Sequence, residues 1–226
     1  MKARLLPTTG IGSLPFTNID QAIEFSMKFD IPFLPELPKL DGDFITSYTL
    51  GSSSCLEEFR NITKELPRVK YQIPSPEFTQ ITPISQSNSL LFIDAPTIKD
   101  YSILENFIVS SKNEIGIHCC GTFDLEKIVK LNIKFFSFDA RLIENPNDLM
   151  VTLLQNGVTP VIGIVSTHNK KAQRPENLSS WVKVIREYSM HCWLSPACGL
   201  AEFNNAECER TLSLLQEIRN EILLTQ

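Results

Sequence analysis

The stretch GIHCCGTFD, residues 116–124, sets a histidine and two adjacent cysteines at the end of an apolar run. If Ile115–Cys119 is extended, residues two apart share a face. His118 and Cys120 then point one way and Cys119 the other. An imidazole and a thiolate on one edge form a soft N/S pair suited to zinc, whereas Cys119 suits the packed layer behind the strand. A second candidate ligand, Cys198, follows another short apolar run in WLSPACGL. Two bland readings stand beside the metal: ordinary buried thiols, or half of a disulfide. Alone, a cysteine is most often a small buried hydrophobe, which is the reading for Cys55, Cys119, Cys192 and Cys208. His191 reads as structural. A lone H-x-C is a weak metal signal; H-x-C-G together with P-x-C-G at two strand ends is a stronger one.

Bringing residues 118 and 198 together needs a closed arrangement of strands. Short apolar runs alternate with helical patterns along the whole chain. Strands are predicted at 4–9, 31–34, 69–73, 90–94, 115–119, 135–138, 160–164 and 192–195. Helices are predicted at 18–29, 54–65, 99–111, 124–131, 146–156, 176–188 and 206–224. In the last of these Leu212, Leu215, Ile218 and Ile222 recur at helical spacing behind Asn204 and Asn205. This alternation implies parallel strands joined by right-handed crossovers, and eight strands suggest a (β/α)8 TIM barrel. The segment PSPEFTQITPISQSNS, 74–89, has no helical period, so the barrel is trimmed by the helix after its third strand. No repeat, low-complexity tract or linker divides the chain, and residues 1–226 read as a single domain.

Active sites of such barrels gather at the C-terminal ends of the strands. The polar residues just past the predicted strands are Ser13, Glu36, Asp94, His118, Cys120, Asp139, His168 and Cys198; the run at 69–73 contributes none. Asp139 is the natural carboxylate for a fourth metal position, or an orienting partner for another ligand.

Bulk properties exclude several classes. The 226 residues carry a net charge of −5, without the basic surplus that nucleic-acid binding needs. No apolar run is long enough to span a membrane and the N-terminus lacks a signal-peptide core, which makes a cytoplasmic location the default expectation. In that setting six cysteines read as reduced thiols or metal ligands rather than as a disulfide framework.

Four motifs together resemble the catalytic C-terminal barrel of the cobalamin-independent methionine synthase family, within a superfamily that includes uroporphyrinogen decarboxylase. They are TTGIGSLP (8–15), LFIDAP (91–96), IHCCG (117–121) and WLSPACGL (193–200), in family order. The resemblance implies zinc on His118, Cys120 and Cys198, with Asp139 at the position of the family's fourth ligand, a glutamate. It implies homocysteine held by backbone around Ile11 and Ser13 and by the carboxylates of Glu36 and Asp94. His168 corresponds to the family's acid histidine, and Ala95 replaces the glutamate of its I-D-E-P segment. The family's full-length enzymes also carry a second, N-terminal barrel and a long folate-binding surface, which these residues do not include.

A free thiol is only about 3% thiolate at pH 7, and zinc deprotonates it outright. The expected activity is therefore zinc-dependent methyl transfer to a small-molecule thiol such as homocysteine, with catalytic roles for His168 and Asp94. Folate's methyl leaves from a nitrogen that needs an acid, whereas cobalt(I) leaves without a proton. Without the second barrel, and with the segment after the third strand clipped so that an open mouth admits a bulky corrinoid, the expected donor is a methyl-corrinoid or corrinoid protein rather than methyl-folate. Two rivals remain: a non-catalytic, degenerate zinc-binding barrel, and a uroporphyrinogen decarboxylase-like enzyme, which needs arginines at strand ends where only Arg141 is near.

Overall fold

Six runs rich in Val, Ile, Leu and Phe form parallel strands. They are β1 (Val69–Pro74), β2 (Ser89–Asp94), β3 (Glu114–Cys119), β4 (Phe135–Asp139), β5 (Thr159–Val165) and β6 (Trp193–Pro196). They pair in sequence order, each parallel to the next. The computed structural model describes residues 6–50, 53–81 and 88–224.

Parallel neighbours need a crossover, and helices supply most of them. After α1 (Ile19–Ser26), α2 (Pro38–Asp41), α3 (Phe44–Leu50) and α4 (Leu56–Thr63), the sheet is threaded by α5 (Tyr101–Ser110), α6 (Leu125–Ile128), α7 (Pro146–Gln155) and α8 (Leu178–Glu187), and α9 (Asn205–Leu224) follows β6. Local signals set the ends. The Asn18 side chain accepts from the Gln21 N–H at the start of α1, and Asn145 precedes Pro146 at the start of α7. Among the described residues no helix lies between β1 and β2, as expected, although residues 82–87 of that segment are outside the description.

The first two predicted strands are corrected. Residues 4–5 of the first lie outside the described residues. The remainder of both makes only isolated parallel bridges: Thr8 with Leu194, Thr9 with Ile31, and Phe33 with Lys70. Pro7, Pro32 and Pro35 lack the N–H a continuous ladder requires, so pairing is confined to the residues between them. The surviving bonds are good: Thr9 N donates to Leu194 O at 3.0 Å, Ile31 N to Thr8 O at 2.9 Å, and Leu34 N to Lys70 O at 2.8 Å. They link the β6 edge to the β1 edge. The architecture is an α/β fold with a curled six-stranded parallel sheet, consistent with a trimmed TIM barrel.

Two apolar regions result. The larger packs the outer sheet face against the helices. The smaller fills the inside with Leu90, Phe92, Phe135, Val161 and Trp193, the Phe135 and Trp193 rings 4.6 Å apart. Gly116 leaves room for this plug, since a β-carbon there would come within 2.7 Å of the Phe92 ring. Two residues further along each strand the inward positions turn polar: Asp94 after Phe92, His118 after Gly116, Ser137 after Phe135, Ser195 after Trp193. Registered pairing of Asp94 with His118 and of His118 with Ser137 sets these groups side by side above the apolar floor.

Candidate metal centre

The end of β3 and the loop after β6 meet over this polar layer. One ligand atom each from His118, Cys120 and Cys198 lies within 4.8 Å of the others. The sulfurs of Cys120 and Cys198 are 3.8 Å apart, although 78 residues separate them in the chain. Two thiolates at about 2.3 Å on corners of a tetrahedron around zinc stand about 3.8 Å apart, so the spacing suits that ion. His118 is 1% exposed; its Nδ1 lies 2.9 Å from the Ser137 hydroxyl, and its buried Nε2 has no partner in the protein. A proton on Nδ1, donated to Ser137, leaves the Nε2 lone pair for a metal.

The two thiols polarise each other. Hydrogen bonding between them pulls Cys198 well below the ordinary thiol value, with His118 assisting, and pushes Cys120 up. Cys119 lies on the other face, fully buried, with Sγ directed at Pro96 O and Thr122 O at 3.6 and 3.8 Å. All six cysteines are free, which disposes of the disulfide reading among them.

The carboxylates expected to hold substrate are close by. Burial raises Asp94, while the neighbouring His118 pulls it down and Cys198 pushes it up. Burial also raises Glu36, and Asp94 pushes in the same direction. Glu36 packs against Gly12, where any β-carbon would collide with its carboxylate, and its Oε1 is buried without a partner. Ile11 is buried beside them. Ser13 is drawn to the Cys198 loop, because Leu200 N donates to Ser13 O at 2.7 Å and Gly199 has no side chain to obstruct the Ser13 hydroxyl.

Residues 72–220 match the family described as the cobalamin-independent synthase, catalytic domain. The chain belongs to that family. Among solved structures, a B12-independent methionine synthase from Shewanella sp. W3-18-1, in complex with selenomethionine, superposes with a TM-score of 0.69 at 14% identity, covering 99% of this chain and 100% of that one. A methyltransferase from Methanosarcina mazei matches at a TM-score of 0.41 and 15% identity over 78% of this chain and 54% of that one. No curated protein matches the sequence. At 14% identity the likeness to the Shewanella structure concerns the fold, while membership of the synthase family points to a methyl-transfer enzyme.

Two predicted site residues do not join the synthase-type cluster. Asp139 is buried at the end of β4, but Arg141 holds both of its oxygens: Oδ1 accepts from the backbone N–H at 2.9 Å, and Oδ2 from Nε and Nη2 at 3.1 and 2.9 Å. Oδ1 thus caps the 3-10 turn Ala140–Leu142 while the guanidinium holds Oδ2, so both carboxylate oxygens are already engaged. His168 is exposed on a 3-10 turn and lines a cleft of about 610 Å³ with Arg141, Arg174 and Asn177, a lining that includes none of the three ligands.

Sequence reasoning also missed two residues. Lys70 and Gln72, on the strand credited with no polar group, are 0% and 3% exposed and face the interior. Lys70 Nζ donates to Gly10 O at 2.7 Å and to Gln72 Oε1 at 2.8 Å, and lies 4.6 Å from the centre of the Phe92 ring. Burial lowers its pKa to about 7 against the opposing attraction of Asp94 and Glu36.

Proposed function

We propose that this chain is a zinc-dependent methyltransferase that moves a methyl group to a substrate thiol such as homocysteine. The observation that carries the reading is the three-residue N/S/S set with Asp139 withdrawn by Arg141. Structural zinc sites close with four protein ligands, whereas catalytic ones use three and leave a position for substrate. Zinc held by His118, Cys120 and Cys198 supplies the chemistry that keeps a thiol deprotonated at neutral pH.

The chain's own residues then account for binding and orientation. Ser137 holds the His118 ring through Nδ1. Glu36 and Asp94 present carboxylates to the ammonium of an amino-acid thiol, and that charge offsets the burial that raises both. The apolar plug of Phe92, Phe135 and Trp193 shuts the site from below, and isolated strand bridges link the two edges of the curled sheet around it.

The donor we favour is a methyl-corrinoid, free or protein-bound. The reason is the position of His168, exposed and outside the ligand cluster, which leaves no histidine acid beside the thiol for departure of a folate nitrogen. Incubating zinc-loaded protein and homocysteine with methylcobalamin and with methyl-folate in separate reactions tests both parts. Methionine from methylcobalamin supports the reading; methionine from methyl-folate alone refutes the donor assignment. Zinc binding with no product from either donor favours the degenerate, non-catalytic barrel, the reading that Ala95 in the family's I-D-E-P segment supports.

A further inference from the structure

Gln72 cannot be flipped. Its Oε1 accepts from Gly12 N and from Lys70 Nζ, both at 2.8 Å, and the backbone N–H of Gly12, which can only donate, could not bond to an amide nitrogen. Nε2 is therefore fixed as the remaining group, and it is buried without a partner in the protein. An unpartnered buried donor costs about 1–3 kcal/mol, so one held this firmly calls for an acceptor. Next to it the opposite situation occurs. Glu36 Oε1 is a buried acceptor without a partner, and both side chains flank the same glycine, Gly12.

A fixed amide donor and a buried carboxylate, both placed against Gly12, complement a zwitterion, with carboxylate on one and ammonium on the other. The Gly12 N–H cannot supply the donor at this point, because it is already engaged by Gln72 Oε1. Lys70 cannot either: its ammonium is turned to Gly10 O and Gln72 and is fully buried behind them.

We propose that Gln72, held in place by Lys70 and Gly12, determines specificity for α-amino-acid thiols by donating from Nε2 to the substrate carboxylate while Glu36 takes the ammonium. This rests on the thiol-acceptor reading above and adds to it a residue on β1. Thiols lacking the carboxylate lose that contact, and Lys70 acts at one remove, as the positioning residue that sets the amide's orientation.

Calorimetric titration of zinc-loaded protein with three thiols tests this. Homocysteine carries both charges, 4-mercaptobutanoate only the carboxylate, and 3-mercaptopropylamine only the ammonium. In the wild type, homocysteine should bind about tenfold more tightly than 3-mercaptopropylamine, as a charge-assisted hydrogen bond requires. Gln72→Glu keeps an oxygen for Lys70 and Gly12 but replaces the donor with a second acceptor. It should weaken both carboxylate-bearing thiols about tenfold or more and leave 3-mercaptopropylamine within about twofold. Equal losses for all three thiols, or none for the two carboxylates, overturn the assignment. Should Gln72→Glu not fold, the wild-type comparison decides alone, and equal affinity for homocysteine and 3-mercaptopropylamine overturns it. Failure of all three thiols to bind the wild type is a different result, and it overturns the thiol-acceptor reading itself.

Discussion

Replacing Ser137 by alanine removes the one hydroxyl that orients His118 without touching a metal ligand. Ser137 is fully buried and its Oγ lies 2.9 Å from Nδ1, so no solvent is at hand to take its place. Partners of this kind typically change metal affinity 10–100-fold, which is about 1.4–2.7 kcal/mol. The metal-free protein should also lose stability, by about 1–3 kcal/mol, because Nδ1 is left buried without an acceptor. Competition with a chromophoric chelator gives the zinc affinity, and urea unfolding of the metal-free protein gives the stability. The two readouts separate the contributions: a merely structural role moves only the second. A Ser137→Ala protein that binds zinc as tightly as the wild type would refute the assignment of Nε2 as the metal-facing nitrogen. His168→Ala, exposed and outside the cluster, serves as the control and should leave both values unchanged.

Cys198→Ser should strip most of the zinc found by metal analysis, whereas Cys119→Ser should retain it, since Cys119 faces the opposite layer; equal zinc contents would contradict the face assignment. Burial holds the Lys70 ammonium to about 7, so between there and the ordinary lysine value near 10.4 the unfolded chain binds more protons than the folded one, and this residue makes stability rise with pH by up to about 1.4 kcal/mol per unit. The stability of the wild type minus that of Lys70→Met should therefore increase between about pH 7 and pH 9.5 in urea titrations, and a flat difference would contradict the burial argument. A β-carbon on Gly163 would lie 2.6 Å from Ala197 Cα and from Phe138 O, backbone atoms that cannot swing aside. Gly163→Ala should therefore cost about 1–3 kcal/mol in stability and, by displacing the residue before Cys198, weaken zinc binding; an unchanged zinc affinity would show that the loop after β6 is not held by this contact.

Much of the site was legible because it depends on the two-residue period of a strand. That period separates His118 and Cys120 from Cys119 with no knowledge of the rest of the chain. Uniting Cys198 with them needed only the inference that parallel strands curl until distant ends meet. Lys70 and Gln72 escaped for the same periodic reason. VKYQI alternates apolar and polar residues, the pattern of a strand with one face in water, but its polar face here is the barrel interior. Nothing in the run itself distinguishes these cases.

Asp139 stands apart from the three-residue cluster through a local competition. An aspartate at the N-cap of a short turn, two residues before an arginine, is satisfied by its own neighbours before a metal can recruit it. His168 looked catalytic by its place after β5, but Asn169 and Lys170 adopt positive φ, at 55° and 57°, in the turn that carries it at the surface. The first two strands failed as ladders because prolines interrupt them, although the sequence order of the barrel survives in their bridges.

In the proposed function His118, Cys120 and Cys198 hold a zinc that accepts a substrate thiol. X-ray absorption at the zinc edge tests it most directly, on the purified protein with and without homocysteine. The expected result is about one zinc per chain with two sulfur neighbours at about 2.3 Å, rising to three sulfurs when homocysteine is added. Zinc bound by these residues with an unchanged sulfur count in saturating homocysteine, or no zinc at all, would contradict it.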